Sequence, residues 1–295
     1  MNKKPSFCAV KRNFCVFILT HGRADNVITY KTLQRCGYTG KTIFVVDNLD
    51  EQVPKYQQNF GAENVVIFDK EKANRTMQTF DNLPKLGVIL FARNACFEIA
   101  KNLGITHFVE LDDDYTEFEY RYVKNDLFKA IPVRDLNTLF ATMCDLLDET
   151  HSTTVALAQN GDFIGGKDGM FKERVKRKAM NSFFCRTDNP FQFVGRINED
   201  VNTYTLLGSQ GKLFFTTTEA CLNQATTQTN KGGMTETYLE TGTYWKSFYS
   251  VISMPSSVSI STIGGGGNGV AHYRIHHSVN WNNTVPKIIA EEYKK

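Results

Sequence analysis

Thr106-His-Phe-Val-Glu-Leu-Asp-Asp-Asp-Tyr115 is the stretch on which the fold turns. Its apolar run, residues 107–111, reads as a short buried strand, and it stops at three successive carboxylates, Asp112, Asp113 and Asp114. In an open α/β sheet, ligands collect at the carboxyl ends of the strands. Three like charges side by side repel one another and so call for a cation. Hard oxygen ligands suit Mg²⁺ or Mn²⁺, and a metal held by one or two carboxylates completes its shell with substrate phosphates. Successive residues at a strand end point to opposite sides, which sets Asp112 and Asp114 against Asp113. Alone, such a run is as readily a polar turn closing a strand, so its surroundings decide.

Upstream, strand and helix signals alternate. Residues 14–19 form a buried strand, followed by a polar turn from Thr20 to Asp25. Asp25 or Asn26 is placed to cap an amphipathic helix over 27–35, which Gly37 ends. A second strand, 41–46, runs into Asp47 and Asn48; a short helix around 51–60 leads to a third strand, 64–68, closed by Asp69. Residues 88–103, holding Arg93 and Asn94, have helical composition and run into the acidic strand. Four strands separated by helices predict a mostly parallel sheet.

Downstream, the apolar face Leu136, Leu139, Phe140, Met143, Leu146 and Leu147 marks a helix over 134–150. A strand over 153–158 leads to a glycine-rich turn, 161–169, and then to the basic residues Lys172, Arg174, Lys176, Arg177 and Lys178. Further strands are expected over 182–185 and 212–216, with Glu199 and Asp200 just ahead of a helix over 201–208. The Thr- and Gly-rich stretch 226–243 is long for a structureless loop and reads as a lid. Residues 264–269 are flexible by composition and precede His272, His276 and His277. There are no repeats and no interdomain linker.

Composition is ordinary for a globular chain: 295 residues, 41% hydrophobic and 22% charged. No run of 18 apolar residues occurs, so no membrane-spanning helix is expected. The N-terminus has the charge of a signal peptide, but Lys11, Arg12 and Asn13 interrupt the apolar core one needs. Seven cysteines are scattered singly with no CxxC, which favours reduced thiols in the cytoplasm (the host's, for a phage-encoded chain) over disulfides or a zinc site. A net charge of +3 does not by itself announce a nucleic-acid partner.

In the order of these parts the chain resembles glycosyltransferases of the GT-A type. Asp112-Asp-Asp114 matches their Asp-x-Asp in sequence and place, after the fourth α/β unit. The resemblance implies an α/β, Rossmann-like single domain, with residues 1–115 binding the sugar nucleotide and 116–295 forming the acceptor half. It implies Thr20, His21 and Arg23 at the nucleoside, Asp47 on the uracil, and Arg93 and Asn94 near nucleotide or phosphate. Asp112 and Asp114 would hold Mn²⁺ or Mg²⁺ with His272 as a late ligand, His276 and His277 being alternates, while Asp112 and Asp113 face the UDP-sugar. Glu199-Asp200 resembles the acidic pair of inverting members, with Asp200 as base and Glu199 as its alternate.

The opening Phe17-Ile-Leu-Thr-His-Gly-Arg23, Ala92-Arg-Asn94 and the acid triplet are also similar to phage and TET-associated glycosyltransferases that modify hydroxymethylated pyrimidines in DNA. That likeness implies a 5-hydroxymethylpyrimidine acceptor. The basic residues 172–178 would then track phosphates, and Phe171, Phe183 and Phe184 would stack an exposed base. Each part has a plainer reading: Asp47-Asn48 as a turn cap, Glu199-Asp200 as a complement to a helix dipole, the cations as a solvated face. Rival functions are transfer to a polysaccharide or protein, nucleotidyl transfer, and DNA binding without catalysis. Against nucleotidyl transfer, Thr20-His-Gly-Arg23 substitutes poorly for a glycine-rich, lysine-bearing loop.

Overall fold

The computed structural model describes residues 12–83, 87–224, 244–265 and 272–287. The four expected strands are β1 (Phe14–Leu19), β2 (Lys41–Asp47), β3 (Val65–Phe68) and β4 (His107–Asp112). They lie parallel in the order β3-β2-β1-β4. Strand β1 shows why: Val16 and Ile18 enter one core cluster, Cys15, Phe17 and Leu19 the other. A strand buried on both faces reads as a continuous apolar run. One face is covered by α1 (Ile28–Arg35), α2 (Val53–Phe60) and α5 (Leu136–Thr150). The other is covered by α3 (Lys70–Thr76), α4 (Leu90–Asn102) and α6 (Glu199–Ser209). Each fully buried Phe or Leu contributes about 1.5–3 kcal/mol, so these two layers hold the strand ends in register.

Past β4 the sheet continues through β5 (Tyr115–Lys124), β6 (Leu127–Pro132), β7 (Thr154–Ala158), β8 (Val175–Lys176), β9 (Ser182–Arg186) and β10 (Phe214–Gln224). The order beyond β4 is β9-β7-β10-β5-β6, with β8 on β10. Strand β9 runs antiparallel to β4, whereas β7 and β10 pair in parallel. One sheet therefore takes strands from both sides of residue 115. The β5–β6 hairpin was not among the expected elements, although Phe118, Tyr120 and Tyr122 alternate with Glu117, Glu119 and Arg121. Its two-residue loop, Asn125 and Asp126, has φ of 52° and 62°, as a type I′ turn requires.

A second, two-stranded sheet joins β11 (Val258–Gly265) to β12 (His272–Val279). It packs against α7 (Tyr244–Ser253), a helix that its Tyr, Trp, Phe, Ser and Val content does not announce, since these are mediocre helix formers.

Neither Asp25 nor Asn26 caps α1. Val27 occupies the cap position with no side-chain bond. The backbone of the acid turn serves instead: Thr29 N donates to Asp113 O at 3.1 Å, and Thr29 Oγ1 donates to Asp112 O. Helix α6 begins at Glu199, so the acidic pair forms its first turn rather than preceding it. The six described cysteines are buried and unpaired. No described helix is long and apolar enough to cross a membrane. The expected lid, 226–243, and most of the glycine run, 266–269, lie outside the described residues.

Candidate active site

Parallel pairing brings the carboxyl ends of β1, β2 and β4 together, and their loops interlock. Thr20 Oγ1 donates to Asp113 Oδ2 at 2.7 Å, and Arg23 Nη1 pairs with Asp113 Oδ1 at 2.5 Å. Tyr56 OH sits 2.9 Å from Thr20 Oγ1 and accepts from Arg23 N. Asp113 is thus turned inward, 5% exposed, from the two-residue turn between β4 and β5. Burial raises its pKa, while Arg23 and Thr20 pull it back.

Arg23→Met is therefore expected to strand a buried carboxylate, at a cost of about 3–5 kcal/mol. Urea denaturation with unchanged m-value measures it, and a loss below about 1 kcal/mol contradicts this account of the pair.

On the β2 side, His21 Nδ1 lies 2.7 Å from Asp47 Oδ2, which also accepts from Lys70 Nζ at 2.9 Å; Leu49 N takes Oδ1. Burial alone would raise the Asp47 pKa, yet His21 and Lys70 hold it below the usual carboxylate range. His21 is raised in turn, chiefly by its bond to Asp47. Asp47, expected on the uracil, spends both oxygens inside the protein. The group it presents to solvent is His21, whose side chain is 41% exposed.

Arg93 does not stand where a phosphate contact would put it. It is 3% exposed, and its guanidinium ties three carboxylates: Nη2 to Asp112 Oδ1 at 3.1 Å, Nε to Glu199 Oε1 at 3.0 Å, and Nη1 to Glu110 Oε2 at 3.7 Å. It stacks on the Phe183 ring at 4.8 Å. Arg93 joins the acid triplet to the first turn of α6. Asn94 is also spent structurally, its amide donating to Phe193 O and accepting from Phe193 N.

With Glu199 held by Arg93, the uncommitted member of the acidic pair is Asp200. Its Oδ1 accepts only the neighbouring Val201 N among the bonds described, at 2.7 Å. Burial and then the Glu199 charge push its pKa up to about 7.

Asp114 faces a neutral partner, the Gln224 amide, at 3.0 and 3.2 Å. Burial, then Asp112 and Asp113, raise it to about 7. Hard carboxylate oxygens, mutually repelling and answered at Asp114 by an amide, fit a divalent cation. Among the described residues no three His, Cys, Asp or Glu side chains converge as a ready cage. The fit is therefore to a cation that keeps water and phosphate oxygens in its shell.

His272 opens β12, opposite Gly265. His277 comes beside the residue that precedes the acidic pair, with Nδ1 3.3 Å from Asn198 Nδ2. Burial and the neighbouring His276, Lys246 and Lys178 lower its pKa to about 3, so it is neutral.

The basic segment is not a continuous exposed stripe. Lys176 is 5% exposed, 3.9 Å from Asp162, and Lys178 pairs with the same carboxylate at 2.5 Å. Arg177 donates to Trp281 O and Thr284 Oγ1. Lys172 and Arg174 stay outside, paired with Asp168 at 3.9 Å and Glu219 at 3.5 Å. Phe171, Phe183 and Phe184, expected to stack a base, are instead core residues at 1%, 1% and 0% exposure.

A family model, TET-Associated Glycosyltransferase, matches residues 14–233, well over half of the chain. The chain belongs to that family.

As a TET-associated glycosyltransferase it is an enzyme that transfers a sugar, and its matched span contains the interlocked loops, the acid triplet, Arg93 and Glu199-Asp200. Among solved structures, it is similar to glucosyl-3-phosphoglycerate synthase from Mycobacterium tuberculosis in complex with Mg²⁺ and UDP. There the identity is 12% and the TM-score 0.44, over 91% of this chain and 88% of that one. The same synthase with Mn²⁺, UDP and glucosyl-3-phosphoglycerate gives 11% and 0.43, over 95% and 94%. No curated protein matches.

Proposed function

We propose that this glycosyltransferase moves a sugar from a UDP-sugar, with Mn²⁺ or Mg²⁺, to the hydroxyl of a 5-hydroxymethylpyrimidine in DNA. The observation that carries the catalytic part is that Arg93 links the acid triplet to the turn that bears Asp200, while leaving Asp200 outside its own ion pairs. Residues up to the triplet form the donor half, and those beyond it supply the acceptor side. Asp112 and Asp114 would hold the cation, which neutralises a diphosphate leaving group when bound.

The remaining work falls to side chains of the chain itself. His21, oriented by Asp47, faces the nucleoside; Thr20, Arg23 and Asp113 fix the loop that carries it. Asp200 accepts the proton of the attacking hydroxyl, a role that suits a carboxylate raised toward neutrality. Direct attack from that side inverts the anomeric centre. Glu199, engaged by Arg93, positions rather than reacts.

The DNA acceptor rests on the family and on the exposed Lys172 and Arg174, the inward cations being unavailable to phosphates. A base-modifying enzyme must also extract its target or act on single strands. The test is incubation with a panel of UDP-sugars, Mn²⁺ and hydroxymethylcytosine DNA, followed by digestion to nucleosides and mass spectrometry. A sugar-bearing nucleoside is expected. Turnover on a saccharide or protein hydroxyl, with none on DNA, replaces the acceptor and leaves the transferase chemistry standing.

A further inference from the structure

We propose that the side-chain amide of Asn181 reads the sugar of the donor, its Oδ1 accepting a ring hydroxyl. The inference rests on the donor reading above and deepens it. Strand β9 pairs with β4 through Leu111 and Ser182. One step further in that antiparallel register sets Asn181 beside Asp112, at the end of the sheet where the acid triplet stands. Its position is fixed from two sides: the Tyr115 phenol donates to the Asn181 carbonyl oxygen, and Leu157 N donates to the next residue's Ser182 Oγ at 2.8 Å. The backbone at 181 is therefore tied to the residue following Asp114, and its neighbour Ser182 to β7.

The side chain is not satisfied in the same way. Asn181 is only 7% exposed, yet its Oδ1 has no hydrogen-bond partner in the structure. Buried polar atoms are almost always paired, and leaving one unmet costs on the order of 1–3 kcal/mol. The acids of the triplet are each committed: Asp112 to Arg93, Asp113 to Arg23 and Asp114 to Gln224. An amide both accepts and donates, which matches the neighbouring hydroxyls of a pyranose or pentose ring. A hydroxyl brought there by a sugar nucleotide meets the unmet acceptor, whereas UDP alone brings none. A site that hydrogen-bonds a hydroxyl also discriminates strongly against ligands that lack it.

Calorimetric titration of the full chain with Mn²⁺ tests this. Wild type and Asn181→Ala are each titrated with UDP and with whichever of UDP-glucose, UDP-galactose and UDP-N-acetylglucosamine the wild type binds most tightly. The expected result is a Kd for UDP changed by no more than about twofold and a Kd for the sugar nucleotide weakened by about tenfold. Melting temperature is expected to hold, since the side chain removed makes no bond at Oδ1. Asn181→Leu, which keeps the branching at Cγ and removes the acceptor, serves the same comparison if the alanine variant fails to fold. Equal losses for both ligands, or no loss for either, overturn the assignment. A wild type that binds neither ligand overturns the donor reading itself, and the assignment with it.

Discussion

Asp200→Asn is expected to lower kcat by about 10²- to 10⁴-fold, the usual contribution of a positioned general base. The amide is isosteric, so donor affinity and melting temperature should stay near wild type. The same residue is expected to set the pH profile. Its pKa is raised to about 7 by burial and by Glu199, so the carboxylate is protonated, and useless as a base, below that pH. kcat/KM should accordingly rise with unit slope up to about pH 7 and level off above it, and the slope should vanish in Asp200→Asn. A flat profile in the wild type, or an asparagine variant of full activity, removes Asp200 from the mechanism. The sign for stability is opposite. A carboxyl raised in the folded state holds its proton where the unfolded chain has lost it, so Asp200 favours the fold at pH values below 7 and costs stability as pH rises through that value.

Asp114→Asn should abolish metal-dependent turnover, by at least about 100-fold, because a cation at a leaving diphosphate contributes several kcal/mol of charge stabilisation. The fold should not suffer. Asp114 is held against burial and against Asp112 and Asp113, which is why its pKa is raised to about 7. Neutralising it removes repulsion, so the metal-free variant should melt no lower than wild type. Loss of activity with stability kept or raised separates a ligand from a structural residue. Full turnover in this variant would put the cation elsewhere.

The donor half was legible because its signals are local. Each of β1 to β4 is a continuous apolar run closed by polar residues, and parallel order alone brings those ends together. Strand alternation was expected to set Asp113 apart from its neighbours, but Asp113 and Asp114 form the turn after β4, and it is Thr20 and Arg23 that hold Asp113 inward. What the chain did not disclose is tertiary. Arg93 and Glu199 stand 106 residues apart, and nothing on α4 signals that its arginine is buried among three acids. Lys176 and Lys178 look like a solvated stripe until Asp162 is placed beside them. Asp47 reads as a ligand-facing acid because its two partners, His21 and Lys70, come from other parts of the chain. His277 reaches Asn198, the residue before the acidic pair, a matter of hairpin register that spacing does not fix. Asn181 carried no signal at all, since an unmet acceptor exists only once its neighbours are known.

The central claim is that the aspartates leaving β4 bind a cation that in turn binds a diphosphate. A crystal soaked with MnCl₂ and UDP, measured at the manganese edge, tests it directly. The account predicts one anomalous peak touching the Asp114 carboxylate and both phosphates, with the Gln224 amide displaced. Manganese absent from the triplet, or UDP bound away from it, contradicts the account.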